Sequence, residues 1–281
     1  MRNETSNNHL DREFPMSNRN FELIADVAYH ITGIKLGDHK RNMIYSRLAR
    51  RIRALKLQSF DQYCALIEGQ EGPEIHEFVN AITTNLTSFF REPHHFEFLA
   101  NKVFADLKRQ GQTRRVRGWS AGCSTGEEPY SIAMVIREIM PPSGWDIKLL
   151  ATDLDSNVVA HSMEGVYSAD RIADLSTTRQ QKWFMKGKSG EQVKVKSSLQ
   201  NLITFKQLNL LHNWPMKGTF DFIFCRNVVI YFDKETQKVL FDRYADILKP
   251  NGYLFIGHSE TLHKVSDRFR SLGKTIYQKI R

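Results

Sequence analysis

The sequence predicts an α/β protein: a doubly wound sheet domain with an all-helical domain in front of it. Three observations support this prediction. Apolar runs typical of buried strands alternate with helical patterns over the last two thirds of the chain. A glycine-containing turn, residues 118–130, joins the first of these runs to a helical pattern. The first third shows helical periodicity only.

The composition is that of a globular protein. The chain has 281 residues, of which 41% are hydrophobic, and no apolar run reaches the roughly 18 residues that a membrane-spanning helix needs. Residues 1–20 are polar and lack a signal-peptide pattern, so we expect a flexible tail there. Three widely spaced cysteines predict reduced thiols and a cytoplasmic location.

Residues 21–90 are predicted to form the helical N-terminal domain, with a basic docking surface. Helices are expected near 21–32, 38–56, 59–68 and 73–83. The net charge of the chain is +9, and the segment 35–56 holds eight basic residues against one acid, Asp38. Such segregation favours an acidic partner, either a protein helix or a nucleic-acid backbone, over an ordinary solvated face. A basic stripe lies beside the apolar face of this helix and consists of Lys40, Arg47, Arg50 and Arg51.

Residues 91–281 are predicted to form the α/β domain. Strands are expected near 115–120, 147–152, 202–207, 220–225 and 252–257, and helices near 95–109, 127–139, 156–162 and 234–248. The stretch 165–200 interrupts this alternation. Its alternating run Gln192–Lys196 predicts an edge hairpin, and we expect a small inserted β-subdomain at about 165–205.

The glycine-containing loop predicts a pocket for a positively charged nucleoside. Glu127 and Glu128 lie where a helix N-terminus would otherwise receive a phosphate. Two carboxylates there would repel a pyrophosphate and attract a cation. S-adenosylmethionine carries a nucleoside, an ammonium and a sulfonium, and no phosphate. The alternative is a plain structural turn without a ligand.

Two later strands end in polar residues, and ligands of open α/β sheets bind at such ends. Asp153 closes the run Ile147–Asp155, where a carboxylate can accept hydrogen bonds from both ribose hydroxyls. The run Phe220–Tyr231 is read as a strand with polar groups at its C-terminal end. A helix stop and another apolar strand follow at Leu248–Gly257.

Six motifs resemble the class I S-adenosylmethionine-dependent methyltransferases and, more narrowly, the CheR family of chemotaxis receptor glutamate methyltransferases. They are Asp38–Arg41, Thr83–Glu92, Ser124–Ser131, Ala151–Asp155, Phe224–Phe232 and Gly257–Glu260. The second and fifth are specific to that family, whereas the glycine loop is shared widely. The resemblance implies a Rossmann-like methyltransferase domain with a β-subdomain, behind a small helical domain.

The resemblance also implies a cofactor site, a reaction and a partner. S-adenosylmethionine would be converted to S-adenosylhomocysteine as receptor glutamates become methyl esters. The basic N-terminal helix would dock on the receptor's cytoplasmic helical bundle. Some members also bind a receptor C-terminal peptide at the β-subdomain, but the turn between Met185 and Val193 is shorter here, which argues against it. The implied cofactor residues are Asn85, Thr87, Arg91, Glu128, Asp153, Asn209, Leu210, Arg226 and Asn227.

Methyl transfer to a glutamate needs no general base, because a carboxyl group of pKa about 4.3 is ionised at neutral pH. We hypothesise that Arg91 or Arg226 holds the cofactor's carboxylate or a single acceptor oxygen. Tyr231 is expected either to flank the methyl group or to be a core tyrosine. No metal site is expected, since the adjacent His94 and His95 cannot share one helix face as zinc ligands do.

Two alternatives remain at this stage. One is a methyltransferase of the same fold that acts on nucleic acid or on another protein, since the excess charge is basic. The other is a catalytically silent adaptor that keeps the fold.

Overall fold

The computed structural model describes residues 12–110 and 113–281, and the chain divides into two compact units between Ile82 and Thr83. The sequence placed this boundary after residue 90. It lies earlier because the side chains of Thr83 and Asn85 donate hydrogen bonds to Asp155, deep in the second unit.

The first unit contains four helices: α1 (Asn18–Thr32), α2 (Arg41–Ala54), α3 (Phe60–Ile67) and α4 (Pro73–Ile82). A 3-10 turn, Asp38–Lys40, precedes α2, so the helix predicted from residue 38 has two parts. The apolar faces of these helices are buried, with Ile24, Ile44 and Phe78 fully inaccessible. The predicted N-terminal domain is therefore helical throughout its described elements.

The flexible tail predicted for residues 1–20 is wrong at its C-terminal end. Ser17 caps α1, because its hydroxyl accepts from the Asn20 amide at 3.1 Å while the Asn20 side chain accepts from the Ser17 amide at 3.0 Å. Phe14 is already buried. Residues 1–11 of the predicted tail lie outside the described residues.

The second unit contains ten strands in the part of it that is described. They are β1 (Arg115–Ala121), β2 (Asp146–Asp153), β3 (Val166–Ser168), β4 (Phe184–Lys186), β5 (Gln192–Val195), β6 (Ile203–Gln207), β7 (Phe220–Cys225), β8 (Leu248–Ile256), β9 (Phe269–Gly273) and β10 (Ile276–Lys279).

Its helices alternate with these strands as predicted. They are α5 (Pro93–Phe98), α6 (Phe104–Gln110), α7 (Glu127–Ile139), α8 (Ser156–Glu164), α9 (Thr177–Trp183), α10 (Ser197–Gln200) and α11 (Lys234–Ile247). A π-helical segment, Leu99–Val103, joins α5 to α6. Of the helices described, none is long and apolar enough to cross a membrane.

The main sheet has seven strands in the order β6-β2-β1-β7-β8-β10-β9. The first five pair in parallel, and β10 pairs antiparallel with both β8 and β9. Strand order reverses between β1 and β7, which makes the carboxyl ends of these strands the expected ligand-binding edge.

Both faces of the sheet are covered, as a doubly wound fold requires. Along β7 the alternating side chains Phe222 and Phe224 belong to one core, and Ile223 and Cys225 belong to the other. The first core includes the apolar face of α7 and the second that of α11. The α/β prediction is confirmed.

The inserted β-subdomain differs from its prediction in one respect. β5 lies in the middle of a separate three-stranded sheet of order β3-β5-β4, whereas the sequence suggested an edge hairpin of the main domain. Val193 and Val195 are buried in the same core as α7 and one face of the main sheet, so this small sheet packs onto the domain without pairing with its edge. β4 and β5 do form the hairpin.

Candidate functional site

The loop after β1 takes a conformation that its own residues determine. Gly122, Ser124 and Gly126 have φ angles of 128°, 49° and 99°. A Cβ on Gly126 would lie 2.7 Å from the Tyr167 hydroxyl and 2.9 Å from that of Ser162. Glycine is therefore required there both by the backbone angle and by the close approach of neighbouring side chains.

Asp153, at the end of β2, holds this loop. Its Oδ2 accepts from the Ser124 amide at 2.8 Å and its Oδ1 accepts from the Asp155 amide at 3.1 Å. Burial raises the pKa of Asp153 to about 6. A carboxylate has about four acceptor positions, so these amides leave acceptor capacity for hydroxyl groups such as those of a ribose. The structure places Asp153 where the strand-end argument expected it.

The segment 83–91 is fastened to the same edge of the sheet. Asp155 Oδ2 accepts from the side chains of Thr83 at 2.8 Å and Asn85 at 2.7 Å, and the Ser124 hydroxyl donates to the Asn85 carbonyl at 3.0 Å. The Thr87 carbonyl accepts from Arg171 at 2.8 Å. Asn85 and Thr87 thus lie beside the glycine loop, although about 40 residues separate them from it in sequence.

The two acids at the start of α7 are not bare carboxylates, which corrects the electrostatic argument from sequence. Glu127 is fully buried and forms an ion pair with Arg171. Glu128 accepts from the Ser120 hydroxyl at 2.8 Å and from Arg226 at 3.1 Å. Each acid therefore has its own arginine, and the two point to different partners.

Arg226, the first residue after β7, is the centre of a buried charge cluster. Its guanidinium lies 3.1 Å from Glu128 and 3.3 Å from Glu92, donates to the Arg91 carbonyl at 2.5 Å, and faces the Phe96 ring. The side chain is 2% exposed, and its Nε has no hydrogen-bond partner among the described groups. Two carboxylates and one guanidinium leave one net negative charge, so the predicted preference for a cationic ligand keeps a physical basis.

Glu260 is the residue whose role the sequence analysis missed. Its carboxylate accepts from the backbone amides of Gly257 at 2.5 Å and of residues 227–230 at 2.9 to 3.3 Å. The side chain is buried. These bonds fix the loop that follows β7, including Asn227, whose φ is 58°. The motif Gly257–Glu260 was visible in the sequence, but nothing in it indicates that Glu260 binds backbone amides about 30 residues earlier in the chain.

The remaining predicted residues lie on the loops that follow the strands. β7 spans Phe220–Cys225, as the strand prediction for 220–225 expected, and the rest of the run up to Tyr231 includes a 3-10 turn at residues 229–231. Tyr231 is half-buried in that turn. Asn209 and Leu210 follow β6; the Asn209 side chain accepts from the Leu211 amide at 3.0 Å, and the Leu210 carbonyl accepts from Arg243 at 2.6 Å. Arg91 donates to the Leu86 carbonyl at 2.8 Å.

In the first unit, one member of the basic stripe is already engaged in a structural ion pair. Arg51 donates twice to Glu74, at 3.0 and 2.6 Å, and lies 3.3 Å from Glu77. The acids that were absent from its own segment come from α4. Arg47 donates to the Ala81 carbonyl at 3.2 Å, Lys40 is half-buried and Arg50 is exposed. Arg51 therefore helps to hold α2 against α4.

The chemistry of the site fits S-adenosylmethionine. Asp153 offers acceptors for a diol, the Arg226 Nε offers a buried unused donor for a carboxylate, and the cluster around it has net negative charge for an ammonium and a sulfonium. These residues lie at the carboxyl ends of parallel strands, the edge at which open α/β sheets bind nucleosides. A pyrophosphate would face this negative charge without a compensating cation.

Comparisons with known proteins agree with this reading. Residues 85–278 match the family model described as CheR methyltransferase, SAM binding domain, and residues 19–83 match that of the CheR methyltransferase all-alpha domain. The chain is 42% identical to the chemotaxis protein methyltransferase of Salmonella typhimurium, over 95% of this chain and 92% of the relative. It is 42% identical to that of Escherichia coli, over 95% and 93%. Chemotaxis protein methyltransferase 2 of Pseudomonas aeruginosa is 41% identical, over 95% of both.

Proposed function

The chain belongs to the CheR methyltransferase family, and on that premise we propose that it transfers the methyl group of S-adenosylmethionine to glutamate side chains of chemotaxis receptors. The products would be glutamate methyl esters and S-adenosylhomocysteine, and the setting sensory adaptation in the cytoplasm. The names of relatives at 42% identity support this reading over nucleic-acid methylation or a silent adaptor.

The observation that carries the proposal is the joint presence of Asp153 and the Arg226 cluster at the carboxyl ends of the two strands that flank β1. Asp153 would hold the ribose of the cofactor. Arg226 would hold its carboxylate through the unused Nε–H, and Glu128 would face its ammonium. When bound, the cofactor supplies an electrophilic methyl group.

The other cofactor contacts come from the strand-end loops and from the segment that precedes α5. The shared feature of these residues is a polar or backbone group on a loop that hydrogen bonds of Asp155, Arg171, Arg243 or Glu260 fix. They are Asn85, Thr87, Asn209, Leu210 and Asn227.

Arg91 and Tyr231 are the candidates for contact with the acceptor glutamate. The Arg91 NH1 donates to the Leu86 backbone carbonyl, and Tyr231 is half-buried in the 3-10 turn. A single hydrogen bond from Arg91 would orient the acceptor while leaving its second oxygen free to attack. The acceptor is already ionised at neutral pH, so no residue is required to remove a proton.

A methanol-release assay tests the reaction. The purified chain is incubated with methyl-labelled S-adenosylmethionine and the cytoplasmic fragment of a receptor from the same organism, and the product is treated with alkali. A glutamate methyl ester releases volatile labelled methanol, and Arg226→Ala should release none. If calorimetry shows binding of S-adenosylhomocysteine but label appears only in alkali-stable material or in nucleic acid, the glutamate proposal is wrong.

Receptor docking would use three members of the basic stripe, Lys40, Arg47 and Arg50, of which Arg50 is exposed. Arg51 contributes to the fold through Glu74 and is a weaker candidate. We expect Arg50→Glu to raise the KM for the receptor fragment in low salt while leaving that for S-adenosylmethionine unchanged. Lys238→Glu, an equal charge change on the exposed side of α11, is the matched control. Equal effects of the two variants would leave only net charge as the cause.

A further inference from the structure

The geometry points to a binding site for a divalent transition-metal ion, of the zinc class, formed by Glu92, His94 and His258 beside the cofactor pocket. One ligand atom of each residue lies within 4.8 Å of the others. The site goes beyond the proposed methyl transfer and does not depend on it. The expectation of no metal rested on His94 and His95 alone, whereas the fold adds His258 from the loop after β8.

The three residues offer the types of ligand atom, and the short distances between them, that a zinc-class ion requires. Two imidazoles and one carboxylate suit zinc, cobalt or nickel, whereas magnesium and calcium prefer oxygen ligands only. Bonds of about 2.0–2.2 Å in a tetrahedral site place ligand atoms roughly 3.3 Å apart. The present separations are wider by about 1.5 Å or less, which side-chain rotation can close, because His258 is exposed and His94 half-buried.

A backbone carbonyl sets the state of the histidine rings. The Lys274 carbonyl lies 3.2 Å from His94 Nε2 and 3.0 Å from His95 Nε2. A carbonyl can only accept, so each Nε2 carries the proton and the Nδ1 of a neutral ring is left as a lone pair. A hydrogen bond from one ring nitrogen to a backbone carbonyl is the outer contact that usually accompanies a metal-binding histidine.

Two buried lone pairs face one another at the inner side of the cluster. Glu92 Oε2 and His95 Nδ1 are 3.4 Å apart, and neither has a hydrogen-bond partner among the described groups. The Glu92 side chain is 7% exposed, and that of His95 is fully buried. The cation beside this pair is the Arg226 guanidinium, 3.3 Å from Glu92 Oε2.

A bound ion would compete with Arg226 for Glu92. The Arg226 guanidinium lies 3.3 Å from Glu92 Oε2 and 3.1 Å from Glu128. Drawing Glu92 towards the metal leaves Arg226 paired with Glu128 alone. Metal binding and cofactor binding should therefore be coupled, and by linkage each ligand changes the affinity for the other by the same factor.

The experiment is a zinc titration of the chelator-treated full chain, in competition with a chromophoric chelator, followed by cobalt substitution. We expect one zinc per chain, loss of that binding in His258→Ala and His94→Ala, and the intense visible absorption of four-coordinate cobalt. The loss should exceed the roughly 10–100-fold that removal of an outer contact costs, since a direct ligand is removed. His263→Ala, an exposed histidine in the same unit, is the matched control.

Calorimetry with S-adenosylhomocysteine checks the fold of each variant, since His258 is exposed and lies outside the proposed cofactor contacts. The inference is overturned if zinc does not bind at one per chain, if His258→Ala and His263→Ala lose affinity equally, or if cobalt gives only the weak spectrum of a six-coordinate hydrated ion. If the chain binds S-adenosylhomocysteine but has no zinc site, the metal inference is wrong and the proposed function is unaffected.

Discussion

The loops that follow β1 and β7 lie on neighbouring strands and are fixed in different ways. The loop of residues 122–126 has three positive φ angles within five residues, and the carboxylate that holds it, Asp153, ends the next strand of the chain. The loop of residues 226–231 has one, at Asn227, and is held by Glu260, which comes after a helix and another strand. Both carboxylates are remote in sequence, 29 residues from Ser124 and 33 from Asn227, so the loops differ in backbone conformation and in how many amides one carboxylate holds.

The two loops also differ in the free energy of unfolding that the loss of one side chain would cost. In the first loop, backbone amides form hydrogen bonds with backbone carbonyls of the adjacent strand. The Thr152 carbonyl accepts from Gly122 at 2.8 Å and from Cys123 at 2.9 Å. In the second loop a single carboxylate accepts from four successive amides. Loss of one side chain therefore leaves several buried donors unpaired there, and no equally large single loss exists in the first loop.

The largest expected effect is that of Arg226→Ala. It leaves Glu92 and Glu128 buried without their shared cation, and breaking a buried pair costs about 3–5 kcal/mol. Denaturant unfolding should show a loss of that size, together with loss of S-adenosylhomocysteine binding by calorimetry. Arg270→Ala, an exposed arginine on β9, should change neither. Stability close to that of the native chain would mean that the cluster is not held by this arginine.

Glu260→Ala should come next. The substitution removes the acceptor of the Asn227–Ile230 amides, and we expect a loss of about 2–3 kcal/mol in unfolding free energy, because buried unpaired donors cost 1–3 kcal/mol before water enters. Cofactor affinity should fall with it. Glu164→Ala, at an exposed site in α8, is the control. Native cofactor affinity in Glu260→Ala would contradict the view that this carboxylate fixes the loop after β7 for cofactor binding.

Gly126→Ala tests how much the backbone conformation and close packing of the loop after β1 contribute to stability. A φ of 99° strains any side chain, at about 1–3 kcal/mol, and the added methyl group would also press on the Tyr167 hydroxyl. Gly190→Ala has a similar φ of 78° with no atom near its Cβ, so it isolates the backbone strain. The Tm should fall further for Gly126→Ala. Equal losses would indicate that close packing contributes nothing at residue 126.

The smallest expected effect is a pH dependence. Burial raises the pKa of Asp153 to about 6, and ribose hydroxyls would donate to the ionised form. Affinity for S-adenosylhomocysteine should be full above about pH 7 and fall as the pH drops through 6, by about tenfold at pH 5, because one unit corresponds to 1.36 kcal/mol. Asp153→Asn should bind more weakly and lose this dependence between pH 5 and 7. A variant that keeps the wild-type profile would assign the titration to another group.

The sequence identified those features that neighbouring residues determine. The alternation of strands and helices gave the doubly wound sheet, and the end of a buried strand gave Asp153. The position of Gly126 was visible from the turn alone. Each of these depends on backbone geometry or periodicity within about ten residues.

The parts that the sequence did not reveal are pairings across the chain. Arg51 was expected to be free for docking, because the acid that binds it, Glu74, lies two helices later. Glu127 and Glu128 were expected to act together, yet they face Arg171 and Arg226. Spacing along a chain does not say which charges will meet once the helices pack.

The remote position of Glu260 has a consequence for synthesis on the ribosome. A nascent chain that has emerged only as far as Ile230 carries the glycine loop, Asp153 and Arg226, but not the carboxylate that arranges residues 227–230. The Lys274 carbonyl that receives both histidine rings emerges later still. Translation therefore has to pass Lys274 before the binding edge is complete, so that products that stop earlier would retain much of the sheet without a finished site.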